Sequence, residues 1–167
     1  MQIRTATIDD VSQVLSIYKR VAAIPGGIAR LVDEVDESYV RAFLSKTNAN
    51  DVALVALDEF EKVTAEIHAY TPGLYCFSHV LSDLTVVVDP CTQRMGVGRL
   101  LFEGFLTVVT EDRPDISRVE LIARESNQNA IKFYESLGFC QEGKLVSRIK
   151  NVDGSMESDI PMAWVRA

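Results

Sequence analysis

The stretch Val86-Val87-Val88-Asp89-Pro90-Cys91-Thr92-Gln93-Arg94-Met95-Gly96-Val97-Gly98-Arg99 carries the residue types of an anion site. A β-branched run enters a short loop, and the loop opens a helix. Gly96 and Gly98 let the backbone come close to a bulky anion. The first N–H groups of a helix have no partner within it, and the positive end of its dipole points the same way. Such a place suits a phosphate or a pyrophosphate. Arg94 and Arg99 add positive charge at its rim. A lone Gly-x-Gly before a helix is also a common packing junction, so this segment alone leaves both readings open.

The elements that must position this loop follow from periodicity and punctuation. Gln2–Thr7 reads as a strand, and Asp9 or Asp10 then caps a helix whose stripe is Val11, Val14, Leu15, Tyr18 and Val21. Pro25-Gly26-Gly27 stops it, and a second helix fits Asp36–Lys46 with Tyr39, Val40, Phe43 and Leu44 inward. Asp51–Leu57 and Val63–Tyr70 read as a hairpin across an acidic turn, and Leu81–Val88 as a third strand closed by Asp89-Pro90. The long helix runs from about Val97 to Thr110, with an inner stripe of Leu100, Leu101, Phe105, Leu106 and Val109. Arg118–Arg124 is a strand, Ser126–Leu137 a helix ended by Gly138, and Gly143–Lys150 and Met156–Val165 are two last strands. The order βααβββαβαββ predicts one α+β domain over residues 1–167, with a mixed central sheet of about seven strands and about four helices. The strand–helix–strand crossover in the middle predicts a parallel pair.

A second segment follows the strand Arg118–Arg124: Asn127-x-x-Ala130-Ile131-x-Phe133-Tyr134-x-x-Leu137-Gly138-Phe139. Taken with Gln93-x-x-Gly96-x-Gly98, in this order and with one helix and one strand between, it resembles the GNAT superfamily of acyl-CoA N-acyltransferases. The two motifs span about residues 86–139, and the element order extends the resemblance over essentially the whole chain.

That resemblance implies a GNAT fold and an acetyl-CoA-dependent N-acetyltransferase. By position, Gln93, Arg94, Met95, Gly96, Val97, Gly98 and Arg99 would hold the CoA pyrophosphate through main-chain N–H groups. Val86, Val87 and Val88 would hydrogen-bond the pantetheine arm as if it were an added strand. A main-chain N–H near Val87 or Val88 would polarise the thioester carbonyl. Asn127 matches a residue that contacts pantetheine; as residue type and place, it is equally an N-cap of the last helix. Tyr134 matches the donor of a proton to the leaving thiolate, whose ordinary thiol pKa of about 8.5 lies below that of tyrosine. Packing at a core edge is the plainer role for Tyr134.

Attack on a thioester needs a neutral amine, so a base or a water chain must take its proton. Some relatives carry a glutamate in the first half of the central strand; the matching positions here are Ser82 and Leu84, and neither is a base. Glu66, then His79, then Asp83, then His68 are the substitutes in order of preference, with a water-mediated route equally open. A regular strand is expected to put His68 on the face opposite Glu66, and Asp83 opposite Ser82 unless a bulge intervenes. In such folds the first helices and the final hairpin wall the acceptor site. Asp33, Glu34, Asp36, Glu37, Glu157 and Asp159 could there hold a cationic acceptor, or serve only as a solvated surface.

Composition sets the outer limits. The 167 residues are 47% apolar and 25% charged, enough for a core and a soluble surface. A net charge of −7 argues against a nucleic-acid partner. The absence of a long apolar run or a basic-plus-apolar leader argues against a membrane span or secretion. Cys76, Cys91 and Cys140 form neither a CxxC pair nor a disulfide framework. They read as ordinary small apolar side chains of a cytoplasmic protein, and no metal site is expected. The expected reaction is direct transfer of acetyl from acetyl-CoA to a primary amine of a small molecule in a ternary complex. A protein N-terminal or lysine acetyltransferase, a catalytically silent CoA-binding sensor and a nucleotide-binding regulator are the alternatives, and a homodimer is open.

Overall fold

A computed structural model describes residues 1–45 and 51–166; Lys46, the expected end of the second helix, lies outside them. The described residues form four α-helices and eight strands: β1 (Gln2–Thr5), α1 (Val11–Ala22), α2 (Glu37–Leu44), β2 (Val52–Leu57), β3 (Val63–Tyr70), β4 (Val80–Val88), α3 (Val97–Glu111), β5 (Arg118–Arg124), α4 (Gln128–Glu135), β6 (Cys140–Gln141), β7 (Leu145–Lys150) and β8 (Met156–Val165). This is the expected α+β order with one strand more. The two-residue β6 is too short to leave a period-2 pattern in the sequence.

Residues group into two compact units, Met1–Tyr70 with Thr85–Pro114, and Thr71–Leu84 with Asp115–Ala167; strand β4 belongs to both. In the first, β1, β2 and β3 form an antiparallel ladder, with Gln2 opposite Leu57 and Val52 opposite Ala69. Every residue of β2 is buried, as are the first seven of β3, so these strands read as continuous apolar runs with few alternations. Ala53, Val55 and Leu57 pack with Val14, Ile17 and Tyr18 of α1 and Val40 and Phe43 of α2. Helix α3 lies against β2 and β3, and alternation gives it Leu54 and Ala56 on the other face. Burying a side chain of the size of Phe43 or Leu44 contributes roughly 1.5–3 kcal/mol each.

Two apolar stripes differ from expectation. Along α3 the buried residues are Val97, Leu101, Phe102, Phe105 and Val109, while Leu100 is 42% exposed. The helix starts at Val97, so the i, i+4, i+5, i+8 stripe counts from there. Along α1, Ile17 is buried where Leu15 is only half-buried.

In the second unit, β4 pairs in parallel with β5 through Val80 opposite Arg118 and Leu81 opposite Val119. Strand β5 pairs antiparallel with β8 along its whole length, from Arg118 opposite Val165 to Arg124 opposite Asp159. Strands β6 and β7 follow each other along the far edge of β8. Asp83 adopts φ +54°, a left-handed conformation inside β4 that interrupts its alternation. All three cysteines are free and exposed, against the expectation of small apolar fillers.

Candidate functional site

Asp89 makes the turn from β4 into the glycine loop. Its N–H donates to the Thr64 carbonyl of β3 at 2.8 Å. Its Oδ1 accepts from the Cys91 N–H at 3.1 Å, and its own carbonyl accepts the Thr92 N–H at 2.8 Å and hydroxyl at 3.1 Å. Together they wind Pro90–Thr92 into one 3₁₀ turn, with proline at the start, where a missing N–H costs nothing. Its Oδ2 accepts from a guanidinium nitrogen of Arg20, in the last turn of α1, at 2.6 Å. Burial raises the Asp89 carboxyl, but the Cys91 N–H and Arg20 more than offset this and hold it below the usual carboxylate range. Sequence reasoning missed this pair: Asp before Pro is a visible turn signal, but nothing marks Arg20, 69 residues away.

The loop then reaches α3. Arg94 takes φ +64° and Gly96 φ +83°, and Gly96 is the N-cap of α3. The first helical bond, Leu100 N–H to the Gly96 carbonyl at 3.0 Å, leaves the N–H groups of Val97, Gly98 and Arg99 ahead of the ladder. A Cβ at Gly98 would meet Val88 Cγ2 at 3.3 Å, so this turn of helix sits tightly against the end of β4. The Gln93 amide lies 3.4 Å from the Val88 carbonyl. Met95 is 71% exposed, and Arg99 pairs with Glu103 one turn on. Gln93–Arg99 thus brings together main-chain donors, two left-handed residues and a helix N-terminus, a geometry that can receive a diphosphate.

Glu66 is the expected base, and it is fully buried. Its Oε2 accepts from the Tyr18 hydroxyl at 2.8 Å, and its Oε1 lies 2.9 Å from His68 Nδ1. His68 therefore does not face away from Glu66; residues two apart in a strand share a face. Phe43 stacks on the His68 ring at 4.3 Å, Tyr70 lies 5.1 Å away, and Tyr39 meets Tyr18 edge-on at 5.9 Å. The Arg30 guanidinium lies 3.9 Å from the Tyr39 ring centre. Burial first, then the charge of Glu66, pushes the Tyr18 hydroxyl well above its ordinary value, so it stays a donor. Val87 of β4 belongs to the same packed cluster as Tyr18 and Phe43. Glu66 is enclosed by its partners, so any proton it receives from a substrate passes through one of them.

The other candidates belong to the second unit. In the second unit the His79 side chain is exposed, and its carbonyl accepts the Ser117 and Arg118 N–H groups at 3.0 and 3.2 Å, a backbone role. Asp83 is exposed. Asn127 caps α4, accepting the Ala130 N–H at 3.1 Å. Tyr134 is half-buried on α4, and burial pushes its hydroxyl up to about 12, so at neutral pH it is a phenol and a donor.

Most of the carboxylates expected to meet a cationic acceptor are already engaged. Asp36 caps α2 through the Tyr39 N–H, Glu34 accepts the Leu31 N–H, and Glu37 pairs with Arg41. Glu157 accepts from Arg124 at 2.8 Å and from Ser126, and Asp159 from Arg148 at 2.8 Å. Among the described residues no group of three or more His, Cys, Asp or Glu could hold a metal ion, and no helix is long and apolar enough to cross a membrane.

Residues 28–139 match the model of the acetyltransferase (GNAT) family. No curated protein sequence matches the chain. Among solved structures, a GNAT-family acetyltransferase from Streptococcus pneumoniae aligns at a TM-score of 0.88 with 20% identity, covering 98% of each chain. The ribosomal-protein-S18-alanine N-acetyltransferase of Escherichia coli aligns at 0.79 with 25% identity, over 99% of this chain and 94% of that one. A phosphinothricin acetyltransferase from Sinorhizobium meliloti, solved in complex with acetyl-CoA, aligns at 0.84 with 16% identity, over 99% and 88%. The glycine loop that opens α3 lies inside the matched segment, and the chain belongs to the acetyltransferase (GNAT) family.

Proposed function

We propose that residues 1–167 act as one cytoplasmic acetyltransferase domain that moves acetyl from acetyl-CoA to the primary amine of a small molecule, by direct attack in a ternary complex. The observation that carries this reading is the loop Gln93–Arg99, where a helix N-terminus and left-handed backbone at Arg94 and Gly96 present main-chain N–H groups for a diphosphate. The structural relative solved with acetyl-CoA supports the choice of ligand.

In this reading Val86, Val87 and Val88 offer the pantetheine arm a strand edge, and an N–H near Val87 or Val88 polarises the thioester carbonyl. Asn127 keeps its cap and offers its remaining amide donors to the arm. Tyr134 hydrogen-bonds the departing sulfur. Full proton transfer to a thiolate of ordinary pKa, about 8.5, would run uphill from a hydroxyl near 12, so Tyr134 donates a hydrogen bond and gives up its proton only as another proton replaces it. Enclosed Glu66 acts through its neighbours, and exposed His79 is left as a peripheral candidate. The likeness to a ribosomal-protein alanine acetyltransferase favours a second reading, in which the amine is a protein N-terminus. A thiol-release screen with acetyl-CoA as donor tests both. Turnover with small amines and not with peptides supports the first, turnover with peptide N-termini alone supports the second, and CoA binding without turnover of any amine makes the protein a silent sensor.

A further inference from the structure

We infer that Arg20 is a positioning residue for the CoA diphosphate, acting through Asp89. The inference rests on the reading of Gln93–Arg99 as the diphosphate loop, and goes beyond it by naming what fixes that loop and what cancels the charge beside it.

Two problems meet at Asp89. The loop is built from main-chain N–H groups, so its affinity depends on where the backbone stands, and Asp89 is the residue where β4 ends and the loop begins. Asp89 also buries a carboxylate, 4% exposed, on the same short segment as a proposed anion site. An uncompensated carboxylate there would repel a diphosphate. Arg20 answers both. One terminal nitrogen donates to Asp89 Oδ2 at 2.6 Å and the other to Ser16 Oγ at 2.7 Å, one turn back on α1. The guanidinium is held from the helix side and bound to the loop side. Its Nε is buried with no hydrogen-bond partner. A buried donor left in that state costs about 1–3 kcal/mol. The side chain keeps this pose because a charge-assisted bond to a buried carboxylate outweighs that cost.

Asp89 is anchored a third way, by its N–H to the Thr64 carbonyl. The start of the loop is thereby tied to α1 and to β3, whereas its far end rests on α3. Loss of Arg20 leaves the β3 tie and the Cys91 cap in place but releases the α1 tie and bares the Asp89 charge. The consequence is specific to ligands that carry the diphosphate.

Calorimetry with CoA and with pantetheine, which lacks the diphosphate, tests this in wild type, Arg20→Met and Arg20→Met with Asp89→Asn. Arg20→Met should raise the Kd for CoA about 10-fold and leave that for pantetheine within twofold. Adding Asp89→Asn should recover at least about threefold, because the repelling charge is gone. Arg20→Lys, which keeps the charge and most of the stem, guards against a folding defect and should bind CoA within about threefold of wild type. An unchanged CoA Kd in Arg20→Met, equal weakening of both ligands, no recovery in the double variant, or Arg20→Lys as weak as Arg20→Met overturns the inference while the loop reading stands. A wild-type protein that binds pantetheine as tightly as CoA overturns the loop reading and this inference together.

Discussion

The glycine loop and the buried chain Tyr18–Glu66–His68 are built in opposite ways. The loop, 89–99, is made of main chain, and its turns are set by neighbours a few residues away, Asp89 on Cys91 and Thr92 and Gly96 on Leu100, with Arg20 and Thr64 anchoring its start. The buried chain is made of side chains, and Tyr18 meets Glu66 across 48 residues of sequence. The first is proposed as a site because its main chain opens a helix N-terminus. The second is a buried polar network whose carboxylate is fully enclosed by protein. The contrast teaches that a candidate base chosen by residue type and strand position can lie enclosed among its partners, while the turn by which a glycine loop opens a helix follows directly from spacing.

The largest expected effect falls on Tyr134, the proposed donor, outside both regions. Tyr134→Phe keeps the ring and removes the donor, and should lower kcat about 100-fold with CoA Kd within threefold of wild type. Because burial raises the hydroxyl to about 12, the wild-type rate should show no alkaline loss from its ionisation up to about pH 10. Steady-state rates across pH, with calorimetry alongside, check both, and an unchanged kcat removes Tyr134 from the chemistry. Next comes the loop itself. Gly98→Val puts a branched side chain where even a Cβ would stand 3.3 Å from Val88, and should weaken CoA binding at least about 30-fold. Calorimetry showing wild-type affinity would break the main-chain half of the comparison.

The buried half gives a stability effect. Tyr18→Phe leaves Glu66 Oε2 with only the longer 3.1 Å approach of His68 Nδ1 and should cost about 1–3 kcal/mol in urea unfolding, with CoA affinity unchanged. A drop in CoA affinity without a drop in stability would mean the buried chain belongs to the cofactor site after all. Smallest of all, His79→Ala should change kcat less than twofold, since the fold uses only the His79 carbonyl. A large loss would put His79 ahead of Glu66 as the candidate base.

The same contrast explains what the sequence made legible. Strands β3, β5 and β8 begin and end where their apolar runs and turn residues predict, and the parallel β4–β5 pair follows from one crossover. The glycine loop that opens α3 and the Asn127 cap are local, and both stand where spacing predicts them. What escaped depends on distant partners or on exceptions to a period. The Arg20–Asp89 pair joins α1 to the end of β4, the φ of Asp83 breaks the alternation of β4, and β6 is too short for a pattern. The facing of His68 was different: the period of two contained it, and strand geometry settles it on the side of Glu66.

Amide hydrogen exchange with and without acetyl-CoA tests the central claim most directly, because it reads the main-chain N–H groups themselves. Gained protection concentrated in residues 86–88 and 93–99 is the expected result. Protection elsewhere, or none in that loop at saturating acetyl-CoA, would contradict the account.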